Sequence, residues 1–241
     1  MAVALPLAAA VLAVVPAPLA ASAADANLIV NGSFEDPSVW QASAVNEYGA
    51  GSTVMPGWAI GGNSVDLIGQ TYWAAADGAQ SLDLSGGAPG SVAQAIPTTP
   101  GATYTLTWEM AGNTNCGQAV KTMNVSWDGT LAGAPSFNDS GDSGPAMGWA
   151  EQQLNVTAAS ASSTVEFADA TLDGSQCGAA LDNVSLTPAV IGVPSFTRDS
   201  PALAALAGSP YSAAFFAVGV PAYGLVNAPP WLSVNPYGAV T

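Results

Sequence analysis

The amino-acid sequence predicts an all-β protein, in which short strands form a sandwich or jelly roll with one buried face. About ten strand-like runs lie between residues 27 and 187, and no run there has the periodicity of a helix. Turn-forming dipeptides separate the runs. The chain also contains 26 Gly and 18 Pro, a balance that favours a turn-rich β fold.

The runs alternate apolar and polar residues with a period of two, which is typical of half-buried strands. The apolar positions predicted to face the core are Tyr104, Leu106, Trp108 and Met110; Met123, Val125 and Trp127; Leu82 and Leu84; and Val165 and Phe167. Turns are predicted at Gly86-Gly87, Pro100-Gly101, Asp128-Gly129 and Asp173-Gly174. The stretch 25–187 is long enough to fill a single core.

The charge balance excludes several classes of function. Asp and Glu total 17 whereas Lys and Arg total 2, so the formal net charge is −15. Because nucleic-acid binding depends on Lys and Arg that neutralise phosphates, no nucleic-acid partner is expected. The chain has no His, which excludes a Ser-His-Asp triad and a His-ligated zinc site.

The first 23 residues predict an export signal. They carry no charge, and Ala21-Ser22-Ala23 fits a small-x-small cleavage pattern, so we expect cleavage after Ala23. The alternative is a membrane anchor. Proline interrupts the apolar stretch at Pro6, Pro16 and Pro18, which leaves it shorter than the roughly 20 residues that span a bilayer. We therefore predict an exported chain that is not inserted in a membrane after signal cleavage.

Two cysteines fit an oxidising compartment. Cys116 and Cys177 form an even set in a chain that we expect to be exported, which favours a disulfide between them. Two buried free thiols are the alternative. A catalytic cysteine is disfavoured because the chain has no His to activate it.

The chain changes character after residue 187. Residues 188–194 read as a Pro-containing linker, and residues 195–241 contain a second set of strand and turn signals that stops within a strand-like run. About 50 residues are too few for an all-β unit to be stable without a disulfide or a metal. We therefore interpret 195–241 as an incomplete unit.

Segments at both ends of the first unit place carboxylates directly beside apolar strand residues. Glu35 follows Phe34, and Asp182 follows Leu181. An unpaired buried charge is costly, and a cation shared by the first and last strands would remove that cost at both positions.

Several of these segments occur in the same order in a known family. They are 27–36, Gly57-Trp58, 64–69, Trp73, 77–86, 100–104, 111–113 with Cys116-Gly117, and Cys177-Gly178 with 181–184. Over 27–187 the chain resembles the bacterial choice-of-anchor C proteins, of the domain-of-unknown-function 642 type, which are related to a plant cell-wall family. The resemblance implies a galactose-binding-like jelly roll, a wall-attached or exported location and a non-catalytic role.

Two further resemblances concern residues 195–241 and the cation suggested for Glu35 and Asp182. Residues 219–223 and 231–241 resemble the first half of an immunoglobulin-like (Ig-like) bacterial surface repeat. Carbohydrate-binding jelly rolls with similar first and last segments often hold a structural calcium ion. By that likeness Glu35 and Asp182 would be its side-chain ligands, and backbone carbonyls near residues 27–32 would complete the shell. Ca²⁺ prefers such oxygen ligands. The alternative is that both carboxylates accept backbone hydrogen bonds and bind no metal.

Candidate ligand contacts lie where aromatic and polar residues follow predicted strands. Sugar rings are bound by flat aromatic faces and a few polar groups, which favours Tyr72 and Trp73 with Asp66 nearby. Trp58 and Asn113 are further candidates. The alternative is that the aromatic residues belong to the core, as we expect for Trp108, Trp127 and Trp149.

Three functions are compatible with these observations. The first is an extracellular, non-catalytic module that binds cell-wall or other polysaccharide, and the second is a structural surface or adhesin spacer without a small ligand. The third, a two-carboxylate glycoside hydrolase, is disfavoured because Glu109, Glu151 and Glu166 alternate with apolar residues and no motif marks a converging pair. We predict a secreted or cell-surface bacterial protein that is monomeric, is not an enzyme and has a glycan as partner.

Overall fold

The computed structural model describes residues 26–38 and 44–189 in full. Beyond them it gives eight short strands, of which only the backbone is described, and residues 233–234. The chain divides into two compact units, one of Asp25–Ala189 and one that combines Met1–Ala24 with Val190–Thr241. Among the described residues, no helix is long and apolar enough to cross a membrane.

Twelve strands build the unit of residues 25–189. They are β1 (Val45–Gly49), β2 (Ala59–Gly62), β3 (Ser64–Gly69), β4 (Gln80–Asp83), β5 (Gly90–Pro97), β6 (Thr103–Gly112), β7 (Val120–Trp127), β8 (Thr130–Gly133), β9 (Ser136–Asn138), β10 (Ala150–Thr157), β11 (Ser162–Asp169) and β12 (Ala179–Pro188). Their pairings are all antiparallel. The predicted all-β sandwich is confirmed.

The strands form two six-stranded sheets. The first sheet has the order β8-β7-β11-β5-β2, with β9 also paired to β7. The second has the order β10-β6-β12-β4-β3-β1. In the second sheet the first and last strands of the unit are separated by β3 and β4, so the fold depends on contacts between residues far apart in sequence.

The core lies between the sheets and contains the residues that alternation predicted. Tyr104, Leu106, Trp108 and Met110 are buried from the second sheet, and Met123, Val125, Trp127, Val165 and Phe167 from the first. Trp108 meets Phe167 with ring centroids 5.5 Å apart in an edge-on arrangement. Aromatic pairs of this geometry add to the stabilisation that burial provides.

The first segment of the unit lies against its last strand, as the two end motifs led us to expect. Leu28 N donates to Leu186 O at 2.9 Å, and Val184 N donates to Gly32 O at 2.9 Å. A Cβ at Gly32 would overlap the carbonyl oxygen of Val184, so only glycine permits this approach. The pairing of β12 with β6 shifts register between Asp182 and Ser185.

Cys116 and Cys177 form the predicted disulfide. Beside it, the ammonium of Lys121 is fully buried and donates to Cys116 O at 2.8 Å and to Cys177 O at 2.7 Å. Asp139 Oδ2 lies 3.8 Å from the same nitrogen. The two cysteine loops are therefore joined both by a covalent bond and by one buried cation.

The described strands of the second unit pair in four two-stranded antiparallel ladders. Ala4–Pro6 pairs with Ala204–Leu206, Val11–Val14 with Tyr223–Val226, Ser195–Arg198 with Phe216–Val218, and Ala213–Ala214 with Ala239–Val240. The predicted cleavage point after Ala23 and most of the linker 188–194 lie outside the described residues. The signal peptide, the linker and the incomplete Ig-like repeat therefore stay predictions.

Candidate functional site

Trp58 belongs to the core. Its side chain is 3% exposed, and its ring packs between Phe34 and Phe167. The indole Nε1 donates to Asn31 O at 2.9 Å. The expectation that Trp58 contacts a ligand is corrected accordingly, because its ring has no free face.

Trp73 is also buried, but on the outer face of the second sheet. It is 2% exposed and forms a small cluster with Ile68, Ala111, Met147 and Ala180. Its Nε1 donates to Ser81 Oγ at 2.7 Å. The expectation of an exposed Trp73 is wrong, because this side chain fastens the loop of residues 70–79 to the sheet.

Tyr72 is the exposed partner of this pair. Its side chain is 43% exposed, and its ring leans on Trp73 with centroids 5.8 Å apart. The hydroxyl accepts a hydrogen bond from Asn115 Nδ2 at 3.0 Å. Tyr72 therefore offers an aromatic surface that is held at both its base and its tip.

Asn113 is brought close to Tyr72, but it is buried. It follows β6 directly, is 6% exposed, and donates from Nδ2 to Asp83 Oδ2 at 2.6 Å. Its Oδ1 accepts from Asn115 N at 3.0 Å. The expectation of a direct ligand contact at Asn113 is corrected, because both ends of its amide are engaged inside the protein.

Asp66 lies on the same outer face and is half-buried. It is directly opposite Glu47 on β1 and Asp83 on β4. Its Oδ1 is buried and has no hydrogen-bond partner. Burial, and then the charge of Glu47, raise the pKa of Asp66 to about 6.

Asp83 is the most strongly perturbed carboxyl of the face. Its side chain is fully buried, and burial is the main cause that raises its pKa to about 8. Ser85 N and Gly178 N donate to Oδ1, and these bonds together with that from Asn113 oppose the rise. Asp83 is therefore protonated at neutral pH.

Every strand of the second sheet contributes a carboxylate to its outer face, which the sequence reasoning missed. In sheet order they are Glu151, Glu109, Asp182, Asp83, Asp66 and Glu47. Asp66, Asp83 and Glu109 alternate with core residues on their own strands, which is the signal the sequence contained. Their alignment into one face depends on strand register, which a single sequence does not show.

The two residues proposed as calcium ligands both accept from backbone amides of the segment that leads into β4. Glu35 Oε1 accepts from Ala79 N at 2.7 Å and from Gln80 N at 2.8 Å. Asp182 Oδ2 accepts from the backbone N–H groups of residues 76 and 77 at 2.8 and 2.9 Å. Burial is the main cause that raises the pKa of Asp182 to about 7.

These contacts correspond to the alternative stated with the calcium prediction. Among the described residues, no group of three or more His, Cys, Asp or Glu is arranged to hold a metal ion. Glu35 Oε1 and Asp182 Oδ2 accept from amide hydrogens, and a calcium ion would take its remaining oxygens from backbone carbonyls near residues 27–32, since Ca²⁺ takes six to eight. Calcium at Glu35 and Asp182 therefore stays a prediction.

Two further acidic residues lie on this face. Glu109 and Glu151 lie opposite each other on neighbouring strands, with Glu151 exposed and Glu109 half-buried. Burial and the charge of Glu151 raise the pKa of Glu109. The face combines an exposed aromatic ring with carboxyl and amide groups that can form hydrogen bonds.

One curated protein is similar in sequence to this chain. A curated relative, Halomucin from Haloquadratum walsbyi, is 33% identical over 175 residues, which is 68% of this chain and 2% of that protein. The chain thus spans a very small part of this relative.

Two solved structures are similar at low sequence identity. A family 35 carbohydrate-binding module from Clostridium thermocellum has a TM-score of 0.42 at 15% identity, covering 61% of this chain and 100% of that one. The TmCBM61 module in complex with beta-1,4-galactotriose has a TM-score of 0.44 at 13% identity, covering 68% and 99%. The family model described as "Protein of unknown function (DUF642)" matches residues 27–187, so the chain belongs to the DUF642 family.

Proposed function

We propose that residues 26–189 form an extracellular, non-catalytic module that binds carbohydrate on the outer face of the second sheet, with Tyr72 as the main contact. The observation that carries this proposal is the exposed ring of Tyr72, whose hydroxyl is held by Asn115. A ring fixed at both ends loses little conformational entropy when a ligand stacks on it. The Tyr72 ring can therefore stack on the apolar face of a sugar with little loss of conformational entropy.

The loops that surround Tyr72 are preorganised. Trp149 Nε1 donates to Ala74 O at 2.8 Å, and Ala74 N donates to Gly144 O at 2.8 Å. On the other side, Asp173 Oδ2 accepts from Gln118 N and so holds the loop that follows Asn115. Binding sites are largely preformed in this way, with a few polar groups that orient the ligand.

The charge of the unit favours neutral glycans. Within residues 26–38 and 44–189 the only cationic side chain is Lys121, and it is fully buried. A uronate or a phosphate-bearing polymer would meet carboxylates without a cation to pair with. We therefore propose a neutral cell-wall or other polysaccharide as partner, bound by a secreted or cell-surface monomer.

Depletion from solution by insoluble polysaccharides tests the proposal. The full chain is incubated with cellulose, xylan, chitin, galactan and peptidoglycan, and the unbound fraction is measured. We expect selective retention that Tyr72→Ala abolishes. The matched control is Leu131→Ala, because Leu131 is an exposed apolar residue, 57% accessible, on β8 of the other sheet.

The outcomes separate two functions. Retention that is lost in Tyr72→Ala and kept in Leu131→Ala supports the binding module. No retention on any polymer would overturn it and favour the structural spacer. The burial of Trp73 is the observation that would then count for the spacer, because it removes one aromatic ring from the exposed surface of this face.

We further propose that calcium, where it binds, stabilises the fold through Glu35 and Asp182. A calcium titration of the melting temperature tests this, with magnesium as the comparison. We expect an increase that Asp182→Asn removes. An unchanged melting temperature after addition of calcium or of a chelator would contradict the proposal, and the backbone hydrogen bonds to both carboxylates would then be their whole role.

A further inference from the structure

We infer that Asp83, Asn113 and Asn115 are positioning residues that set the orientation of Tyr72 through one chain of hydrogen bonds. The inference rests on the proposed function, because it names what controls the proposed ligand contact. For Asn113, this positioning role replaces the direct ligand contact that the sequence predicted. Two of them are buried and act on a ligand only through Tyr72.

The chain is continuous from the sheet to the surface. Asn113 Nδ2 donates to Asp83 Oδ2 at 2.6 Å, Asn115 N donates to Asn113 Oδ1 at 3.0 Å, and Asn115 Nδ2 donates to the Tyr72 hydroxyl at 3.0 Å. It starts at a fully buried carboxyl and ends at a side chain that is 43% exposed. Each link is short enough to be a hydrogen bond of ordinary strength.

The middle of the chain has a single orientation. The Asn113 amide gives its nitrogen to Asp83 and its oxygen to Asn115, so rotating it by half a turn would break both bonds. Its backbone N–H also donates to Gly178 O at 3.0 Å. Asp83 therefore determines which way the Asn113 amide points, and Asn113 determines where Asn115 N lies.

The far side of Asn115 is fixed independently. Cys116 is bonded to Cys177, and its carbonyl accepts from the buried ammonium of Lys121. Asn115 thus lies between two anchored neighbours. A change at Asp83 cannot be absorbed by movement of the cysteine loop, and it passes to the Asn115 side chain and to Tyr72.

Protonation of Asp83 provides a test of the inference. If Asp83 were purely structural, the orientation of Tyr72 would not depend on pH. The charged groups that face this carboxyl are Asp66 from β3 and, behind it, Glu47 from β1. Two more charged groups bind the residues on either side of Gly178, whose N–H donates to Asp83. Asp169 Oδ1 accepts from Ala179 N, and the Lys121 ammonium donates to Cys177 O. The proton on Asp83 changes how strongly the Asn113 amide is held.

Solution NMR of the full chain with ¹³C-labelled tyrosine tests the inference without a ligand. The ring signal of Tyr72 is assigned by Tyr72→Phe and followed between pH 6 and pH 9 in the wild type, at the pH values at which circular dichroism shows that the chain is folded. We expect it to shift with a midpoint near the pKa of Asp83, about 8. We expect the shift to disappear in Asp83→Asn and the starting position to move in Asn113→Ala, with Leu131→Ala unchanged.

Retention on the bound polysaccharide is the second readout. Loss of one hydrogen bond that holds Tyr72 is expected to weaken binding by about threefold to tenfold in Asn113→Ala and Asn115→Ala. If no polysaccharide is retained but the Tyr72 signal responds as described, the relay is supported and only the proposed function fails. A Tyr72 signal that ignores both pH and Asn113→Ala would overturn the inference, and the wild-type pH series decides it even if a variant does not fold.

Discussion

Deprotonation of Asp83 is expected to cost this protein a large part of its folding free energy. The carboxyl is fully buried between β3 and β12, with Asp66 directly opposite, and its pKa is about 8 against an ordinary value of 3.8. Because the folded-state pKa is raised, the folded chain holds a proton that the unfolded chain has already lost. The stabilisation is complete below about pH 4, falls between 3.8 and about 8, and is gone above that.

The magnitude follows from the same two values. The gap between 3.8 and about 8 corresponds to roughly 6 kcal/mol, since a tenfold change in proton affinity is worth about 1.4 kcal/mol. That is comparable to the whole unfolding free energy of a typical domain. Asp182, whose pKa is raised to about 7, shifts stability in the same direction.

Urea unfolding from pH 4 to pH 9 measures this effect. We expect the unfolding free energy of the wild type to fall steadily across the range, and the slope above pH 6 to be much smaller in Asp83→Asn. The slope of the unfolding free energy against pH is compared, and not the free energy itself. The new amide places a donor against Asn113 Nδ2 and so lowers the stability of the variant at every pH. Asp36→Asn, at an exposed position of the same unit, is the control. A wild-type free energy that is flat from pH 5 to pH 9 would refute the reasoning.

Three further results are expected. Replacing Cys116 and Cys177 with Ser should lower the unfolding free energy by about 4 kcal/mol, because the disulfide closes a loop of sequence separation 61. Urea unfolding without reductant measures this loss. An unchanged unfolding free energy would show that other contacts hold the loop. Gly78→Ala should destabilise more than Gly101→Ala: both have positive φ, but a Cβ at Gly78 meets the Glu35 carboxylate and one at Gly101 meets nothing within 4 Å. Equal losses in the two melting temperatures would disprove a special role for that contact. Added salt should raise the melting temperature, because 17 acidic groups against 2 basic ones repel each other less when screened, and a decrease would contradict this.

The core could be predicted from the sequence because the alternation of apolar and polar residues within each strand shows which residues are buried. Leu106 and Trp108 alternate with threonines, and this pattern is a property of one strand and its solvent exposure. The disulfide followed from the number of cysteines and the expected compartment. Composition alone excluded the classes of site that need His or many cations.

The candidate ligand face could not be predicted to the same depth. Of the candidates, Asp66, Tyr72, Trp73 and Asn113 do lie on one outer face, but the sequence does not show which of them is exposed. Tyr72 and Trp73 are neighbours in sequence and point to opposite environments, because Trp73 finds an apolar cluster on the sheet while Tyr72 does not. That difference arises from residues such as Met147 that are distant in sequence.

The sequence by itself determined the all-β class, the inward-facing residues, the single disulfide and the acidic, His-free chemistry of this protein. These depend on local alternation and on composition. Only the tertiary structure decided that six carboxylates align on one face and that Glu35 and Asp182 bind backbone amides of one loop. Both depend on strand register and on contacts between distant segments, which are set when the two sheets pack together.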